Sequence, residues 1–398
     1  MSACKPVSSA HRDSQKSGRA SIIVLSIAAF IVVTTEFIIV GLLPALAREL
    51  NISIARAGQL VTLFALTVAV VGPFLTAWLS NVERRSLFTW ILIAFAGCNA
   101  MSALSPNYEL LAISRLVPAA LLAVFWGTAS DTASQLVEKS QAGKAVSHIY
   151  LGVSAALMLG VPLGTVAADL VGWRGTFWVL AGLSLSMAVA LYVLMPRVNI
   201  TERESLKSQS KILKNPSLLA NLALSLIIFT GMFASYTYLA DILEKVGEVP
   251  ASHVGWWLMG FGTVGLLGNH LAGRFADSHL STATVVCCIA LAAGALGALF
   301  LAGIAATFLL ALAVWAISHT ALFPLCQVRV MNSAPGSKAF AGTLNISVAN
   351  AGIGAGAMLG GWVISISDLA GIGVLTAALA ILGAGAAFLV PKLISQKV

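Results

Sequence analysis

At 398 residues, 59% hydrophobic and only 10% charged, with a mean hydropathy of +0.94, the chain is not an ordinary soluble globular protein, which carries roughly 25% charged residues. The net charge of +8 is spread over short loops with no concentrated patch, which argues against a nucleic-acid partner. Apolar runs of about 20 residues, each the length of a transmembrane helix, recur along the whole sequence.

Taken in order, residues 1–20 form a polar, basic tail with no apolar core, so they are not a signal peptide. The run that follows has no small-residue cleavage site and is expected to stay in the membrane. Twelve spans are predicted: 21–46, 57–79, 87–105, 108–130, 144–168, 176–195, 218–243, 254–276, 280–303, 306–331, 339–366 and 369–390. Strands of a membrane barrel would be about 10 residues long with alternating polarity. These runs are continuous, so the class is an all-α membrane protein with twelve transmembrane helices.

The charged segment 196–217, with Pro196 and Pro216 near its ends, divides the spans six and six and has the composition of a linker. The expected organisation is therefore a tail (1–20), a six-helix bundle (21–195), a linker (196–217), a second six-helix bundle (218–390) and a tail (391–398). With both termini in the cytoplasm, 18 Lys and Arg lie on the cytoplasmic side, and 4 (Arg48, Arg56, Arg174, Lys245) lie outside. That asymmetry follows the positive-inside rule. The halves also rhyme. Ser80-Asn81-Val82-Glu83-Arg84-Arg85 and Gly273-Arg274-Phe275-Ala276-Asp277 sit at corresponding loops, and the fifth and eleventh spans are both glycine-rich. Two pseudo-symmetric bundles of this kind are a transporter architecture.

The sequence carries Thr35-Glu36-Phe37 with Gly41-Leu42-Leu43-Pro44, Val82-Glu83-Arg84-Arg85, Ile113-Ser114-Arg115, Phe125-Trp126, Gly160-Val161-Pro162-Leu163-Gly164 and Gly172-Trp173-Arg174. In these stretches it resembles the major facilitator superfamily, and within it the bacterial 12-spanner drug:proton antiporter family, with most likeness to sugar-, purine- or nucleoside- and arabinose-efflux-type members. The resemblance implies export of a small organic solute against protons, no cofactor, no enzymatic activity, a monomer, and the bacterial inner membrane. Proton-coupled or passive uptake is the alternative, and a non-transporting sensor or enzyme a remote one. The chain departs from the pattern by carrying Thr76, Ser80 and Glu83 where the superfamily has Gly, Asp and Gly before the basic pair. Pro118-Ala119 replaces a Gln-Gly in the fourth span.

Glu36 is the residue that most calls for a function, because an ionisable group at membrane depth is costly. It lies roughly 15 Å from the outer end of its span, and Arg115 lies roughly 10 Å from the outer end of the fourth. Their similar depths allow pairing, either as a proton-coupling couple or as a permanent ion pair holding two helices. Gly152, Gly160, Pro162 and Gly164 imply a bent, closely packed fifth span. Glu83, Arg84, Arg85, Arg274 and Asp277 are candidates for a cytoplasmic gate. Phe125, Trp126, Tyr236, Tyr238, His319 and Asn345 are candidates for a substrate cavity, since aromatic walls with a few polar groups suit a compact organic solute. Asn350 and the His270–Asn269 pair are weaker candidates, and Asp241 is an exception among boundary acids. Trp256 and Trp257 read as interfacial anchors. The five cysteines show neither a disulfide framework nor metal spacing. Gly260-x-Gly262-x-x-Gly265 imitates a dinucleotide motif but lies inside a span with no preceding strand. The expected partners are a small molecule, protons and the lipid bilayer.

Overall fold

The computed structural model describes residues 8–79, 82–137, 145, 148–149, 152, 155–198, 213–276, 279–334 and 338–395. Among them every regular element is helical. The helices are α1 (Ser8–Glu49), α2 (Ile54–Trp78), α3 (Arg84–Leu104), α4 (Tyr108–Gln135), a π-helical turn (Ala156–Gly160) and α5 (Val161–Leu194). The second half supplies α6 (Pro216–Tyr236), α7 (Leu239–Lys245), α8 (Ala251–Ala276), α9 (Leu280–Phe300), α10 (Ala305–Asn332), α11 (Lys338–Ile366) and α12 (Leu369–Ser395). Polar residues cap the apolar runs as helix N-termini require. Ser53 accepts from the Arg56 amide, Asn107 from Leu110 and Asn215 from Ser217 and Leu218.

The helices coincide with the predicted spans to within about five residues, except that α1 begins at Ser8 inside the expected tail, 218–243 is broken into α6 and α7, and much of 144–168 lies outside the described residues. Ten helices among the described residues are long and apolar enough to cross a membrane. One of these stretches, Met158–Leu194, holds two predicted spans. They part at Gly172, whose φ of 75° breaks α5 into 161–171 and 173–194, a conformation glycine adopts without the penalty a side chain brings. The 26-residue α8 is not among the ten. Its glycines, Asn269 and His270 dilute its hydropathy.

Glycines set how closely the helices approach. On α1 and the fifth-span segment, a methyl at Gly152 would meet the Ser26 carbonyl, at Gly160 the Thr34 side chain and at Gly164 the Ile38 side chain. The two helices therefore run side by side in constant register. The second half repeats the arrangement. A methyl at Gly352 would lie 2.9 Å from the Leu226 carbonyl oxygen, one at Gly356 would lie 2.5 Å from that of Thr230, and one at Gly360 would strike that of Ala234. Small residues on one helix face permit such backbone approach in a bilayer.

The halves touch at one end. There α2 packs on α11, with Gly354 against Leu66 and Gly361 against Ala55, and α8 packs on the fifth-span segment, with Gly255 against Val166 and Gly262 against Met158. Arg48 and Glu244 form an ion pair of 2.6 Å across the same end. Toward the end where both termini lie, the pairing stops. Phe74 and Trp78 on α2 are 76% and 77% exposed, and Leu267, Leu271 and Phe275 on α8 are also exposed. A cavity occupies the space between the halves.

Candidate functional site

The cavity has a volume of about 470 Å³. Its wall from the first half is Val33, Glu36 and Phe37 of α1, Trp126 of α4, and Met158, Val161 and Pro162 of the fifth-span segment. The opposite wall is Phe229, Phe233 and Tyr236 of α6, Phe261 and Asn269 of α8, His319, Phe323 and Gln327 of α10, and Asn345 and Asn350 of α11. The lining is chiefly apolar, part aromatic and part aliphatic, with a short row of amides toward the terminus end.

Glu36 is half-buried and faces this cavity. Among the described residues, nothing hydrogen-bonds or ion-pairs with its carboxylate. Arg115, only 1% exposed, does reach α1, but through the main chain. Its Nη2 donates to the carbonyl oxygens of Thr35 and, at 3.2 Å, of Glu36. Its guanidinium also lies 4.8 Å from the Phe64 ring centre and 5.9 Å from that of Phe177. Two carbonyl dipoles and two ring faces thus surround a cation that sequence depth alone suggested would meet the carboxylate directly. A helical carbonyl keeps a second lone pair for such a donor, and the Glu36 side chain is left to the cavity.

The fifth-span segment borders the site on another side. Its π turn, Ala156–Gly160, precedes Pro162. Pro162 has no N–H for the carbonyl of Met158, four residues back. That carbonyl faces α8, where a methyl on Gly262 would lie 2.6 Å from its oxygen.

On the other wall, His319 stacks on Tyr236 with ring centres 4.4 Å apart. Phe233, Phe261 and Phe323 lie 5.4, 6.3 and 5.7 Å from the same imidazole. Phe233 also reaches Phe37 across the halves at 5.9 Å. Nearer the terminus end, Asn345 accepts from Ser225 and donates to Gln327, both at 2.6 Å.

Of the residues singled out in the sequence, Glu36, Trp126, Pro162, Tyr236, His319 and Asn345 meet at this cavity, as do Asn269 and Asn350. Phe125 does not. It is fully buried against Phe88 at 5.4 Å, because successive helical residues differ by about 100° in direction and Trp126 takes the cavity face. Tyr238 is also elsewhere. Its hydroxyl donates to the Ala357 carbonyl at 2.7 Å, and its ring wedges against Gly58 and Gly361 where the halves join. Asp241 pairs with Lys245 at 3.0 Å, Trp256 is exposed, and Trp257 packs on Phe308.

The gate candidates divide. Glu83 is spent on capping α3, accepting from the Arg85 and Ser86 amides at 2.9 Å each. Arg85 lies 4.3 Å from the Tyr192 ring centre. Arg84 is buried and Arg274 exposed, while Asp277 lies outside the described residues. Sequence reasoning missed Phe229, Phe233, Phe261, Phe323 and Gln327. Part of the signal was present. His319, Phe323 and Gln327 are spaced by four, and Phe229, Phe233 and Tyr236 by four and three, the spacings that share one helix face.

The major facilitator superfamily model matches residues 25–248. The inner membrane transport protein YdhP of Escherichia coli O157:H7 is 32% identical over 344 residues, covering 86% of this chain and 88% of that protein. The K12 protein of the same name is 31% identical over the same length. In fold, the chain resembles a bacterial homologue of the lysosomal transporter Spinster in an inward-facing, occupied conformation (TM-score 0.76, 15% identity, covering 93% and 96% of the two chains). It also resembles a D-xylose–proton symporter (TM-score 0.76, 15% identity, 93% and 96%). A polytopic helical chain with a solute-sized cavity between its halves, matched by this family model over more than half its length, belongs to the major facilitator superfamily of membrane transporters for small solutes.

Proposed function

We propose that this chain is a proton-coupled exporter of a small organic solute in the bacterial cytoplasmic membrane, with both termini in the cytoplasm. The bundles 21–195 and 218–390, joined by the linker 196–217, rock about the cavity so that it faces one side and then the other. The observation that carries this reading is the Glu36 carboxylate, set at membrane depth on the cavity wall with no hydrogen-bond or ion-pair partner among the described residues. A carboxylate in that position is stable when protonated and is ionised when water or a polar solute reaches it. Proton and solute then compete for one place, which is what exchange requires. Arg115 supports Glu36 by holding the adjoining main chain. The glycine contacts of Gly152, Gly160 and Gly164 seal α1 against the fifth span, and Arg84, Arg85 and Arg274 lie at the cytoplasmic rim.

The test is transport in proteoliposomes under an imposed pH gradient, with arabinose, adenosine, hypoxanthine and ethidium as candidate solutes. Accumulation of one of them against its gradient, lost in Glu36→Gln, is expected. Full gradient-driven accumulation in that variant would remove Glu36 from the mechanism. Movement that ignores the pH gradient would leave passive permeation.

A further inference from the structure

The cavity wall opposite Glu36 holds a polar group that nothing so far employs. His319 is 3% exposed, and neither ring nitrogen is hydrogen-bonded among the described residues. Its Nδ1 is fully enclosed without a partner. Core histidines ordinarily settle such nitrogens on a carbonyl or a carboxylate, because a buried polar atom without a partner is destabilising. Here the neighbours are Tyr236, Phe233, Phe261 and Phe323, and they offer the imidazole ring faces and edges only. Asn350 repeats the pattern on α11. It lines the same cavity, its amide donates to the Ile346 carbonyl, and its Oδ1 is enclosed with no partner.

We propose that His319 is the specificity-determining residue of a subsite for a planar aromatic or heteroaromatic ring that carries at least one N–H or O–H donor. This rests on the transporter reading above and names the chemistry its solute needs. Flat rings stack or meet edge to face with the aromatic wall. The solute's donor meets the imidazole at Nε2, the ring nitrogen that is not enclosed. A polyol fits poorly, because most of its hydroxyls would be desolvated against phenyl rings without partners. The two walls then divide the work. Glu36 handles the proton, and the His319 wall reads the solute. Phe37 and Phe233, in contact across the halves, join them.

The test is equilibrium binding to the purified full chain, read by tryptophan fluorescence and calorimetry at a pH where both probes are neutral. The probes are benzimidazole and 1-methylbenzimidazole, which share a ring system and differ in the N–H donor. The expected result is that the wild type binds benzimidazole about five- to tenfold more tightly, the worth of one hydrogen bond in a desolvated site. In His319→Phe, which keeps a ring in the stack, the ratio falls to about one. Tyr236→Leu weakens both probes and keeps the ratio, and His319→Gln retains part of the discrimination. A ratio that persists in His319→Phe, or binding of neither probe by the wild type, overturns the proposal. If His319→Phe does not fold, the Gln and Tyr236 variants decide on the same terms. No gradient enters the measurement, so it stands or falls separately from the transport assay on Glu36→Gln.

Discussion

Gly262→Ala isolates the joint between the halves. The added methyl would lie 2.6 Å from the Met158 carbonyl oxygen and 3.1 Å from its Cα, against about 3.3 Å or more for a relaxed carbon–oxygen contact. Both obstacles are backbone, so the strain is relieved only by parting α8 from the fifth-span segment. Overpacking by one methyl costs about 1–3 kcal/mol. In the proposed cycle the cost falls only on the state in which this end is closed, so the population ratio shifts by about 5- to 150-fold toward the opposite state. Gly260→Ala is the control. It lies on the same helix with nothing within 4 Å of the new methyl, and helix propensity there favours alanine by about 0.5–1 kcal/mol. Spin labels at the exposed positions Leu170 and Ser252 report the gap by electron–electron double resonance. A longer-distance population in Gly262→Ala and none in Gly260→Ala is expected. Unchanged distances in the first, or equal shifts in both, would refute the reasoning.

Three further outcomes follow from the same geometry. Arg115→Ala removes the hydrogen bonds to α1 and opens a void beside Phe64 and Phe177, so thermal unfolding should show a loss of about 2–4 kcal/mol; a loss below about 1 kcal/mol would mean the guanidinium anchors nothing. Glu83→Ala should cost about 1 kcal/mol, the usual worth of a helix cap. Partial burial works against ionisation of Glu83, but the hydrogen bonds from Ser86 and the Arg85 amide prevail and hold its carboxyl below the ordinary glutamate range. The stabilisation is therefore present above that range and is lost as pH falls through the lowered value, so the gap between wild type and Glu83→Ala should close only below the ordinary glutamate range. A gap that closes already in mild acid, above the ordinary glutamate range of about 4.3, would sink this account. Reversing Arg48 to Glu against Glu244 should lengthen the spin-label distance between Leu170 and Ser252, and the double reversal should restore it. The stability change itself should stay within about 1 kcal/mol, because the Arg48 side chain is 57% exposed.

The helices were readable because each is a continuous apolar run, and four of them start at a polar cap. The repeat was readable from the linker, the six-and-six division and the matching loops, and in the structure the glycines of the fifth and eleventh spans each meet their own partner helix. The break at Thr237–Tyr238 between α6 and α7 was not. Neither residue is a helix breaker, and the turn comes from the Tyr238 ring wedging between Gly58 and Gly361 of other helices, a tertiary cause with no local signal. The cavity wall was half legible. Residue type pointed to Trp126, Tyr236, His319 and Asn345, but type cannot give direction, so Phe125 and Tyr238 were drawn in with them. Phe229, Phe233 and Phe323 looked like ordinary apolar filling. Only periodicity referred to His319 as an origin would have brought them to one face.

The contact between Glu36 and Arg115 settles into an arrangement neither sequence alternative described. An ion pair would tie the carboxylate to α4, and breaking it in each cycle would leave a buried charge uncompensated, at a cost of about 3–5 kcal/mol. Arg115 instead grips the carbonyls of Thr35 and Glu36, while Gly160 and Gly164 clamp Thr34 and Ile38 on either side. Contacts at four residues within Thr34–Ile38, little more than one helical turn, thus fix the α1 backbone, and the only part of Glu36 left unanchored is the part that must change protonation. On the proposed reading, holding is a main-chain task and exchange a side-chain task, so a proton can come and go without loosening the bundle. The two roles should separate by mutation. Arg115→Ala should lower the unfolding temperature along with transport, whereas Glu36→Gln should abolish gradient-driven transport at an unfolding temperature equal to or above that of the wild type, since it replaces a costly acid by a neutral amide of the same shape. A marked fall in stability in Glu36→Gln would show that the carboxylate holds the bundle after all.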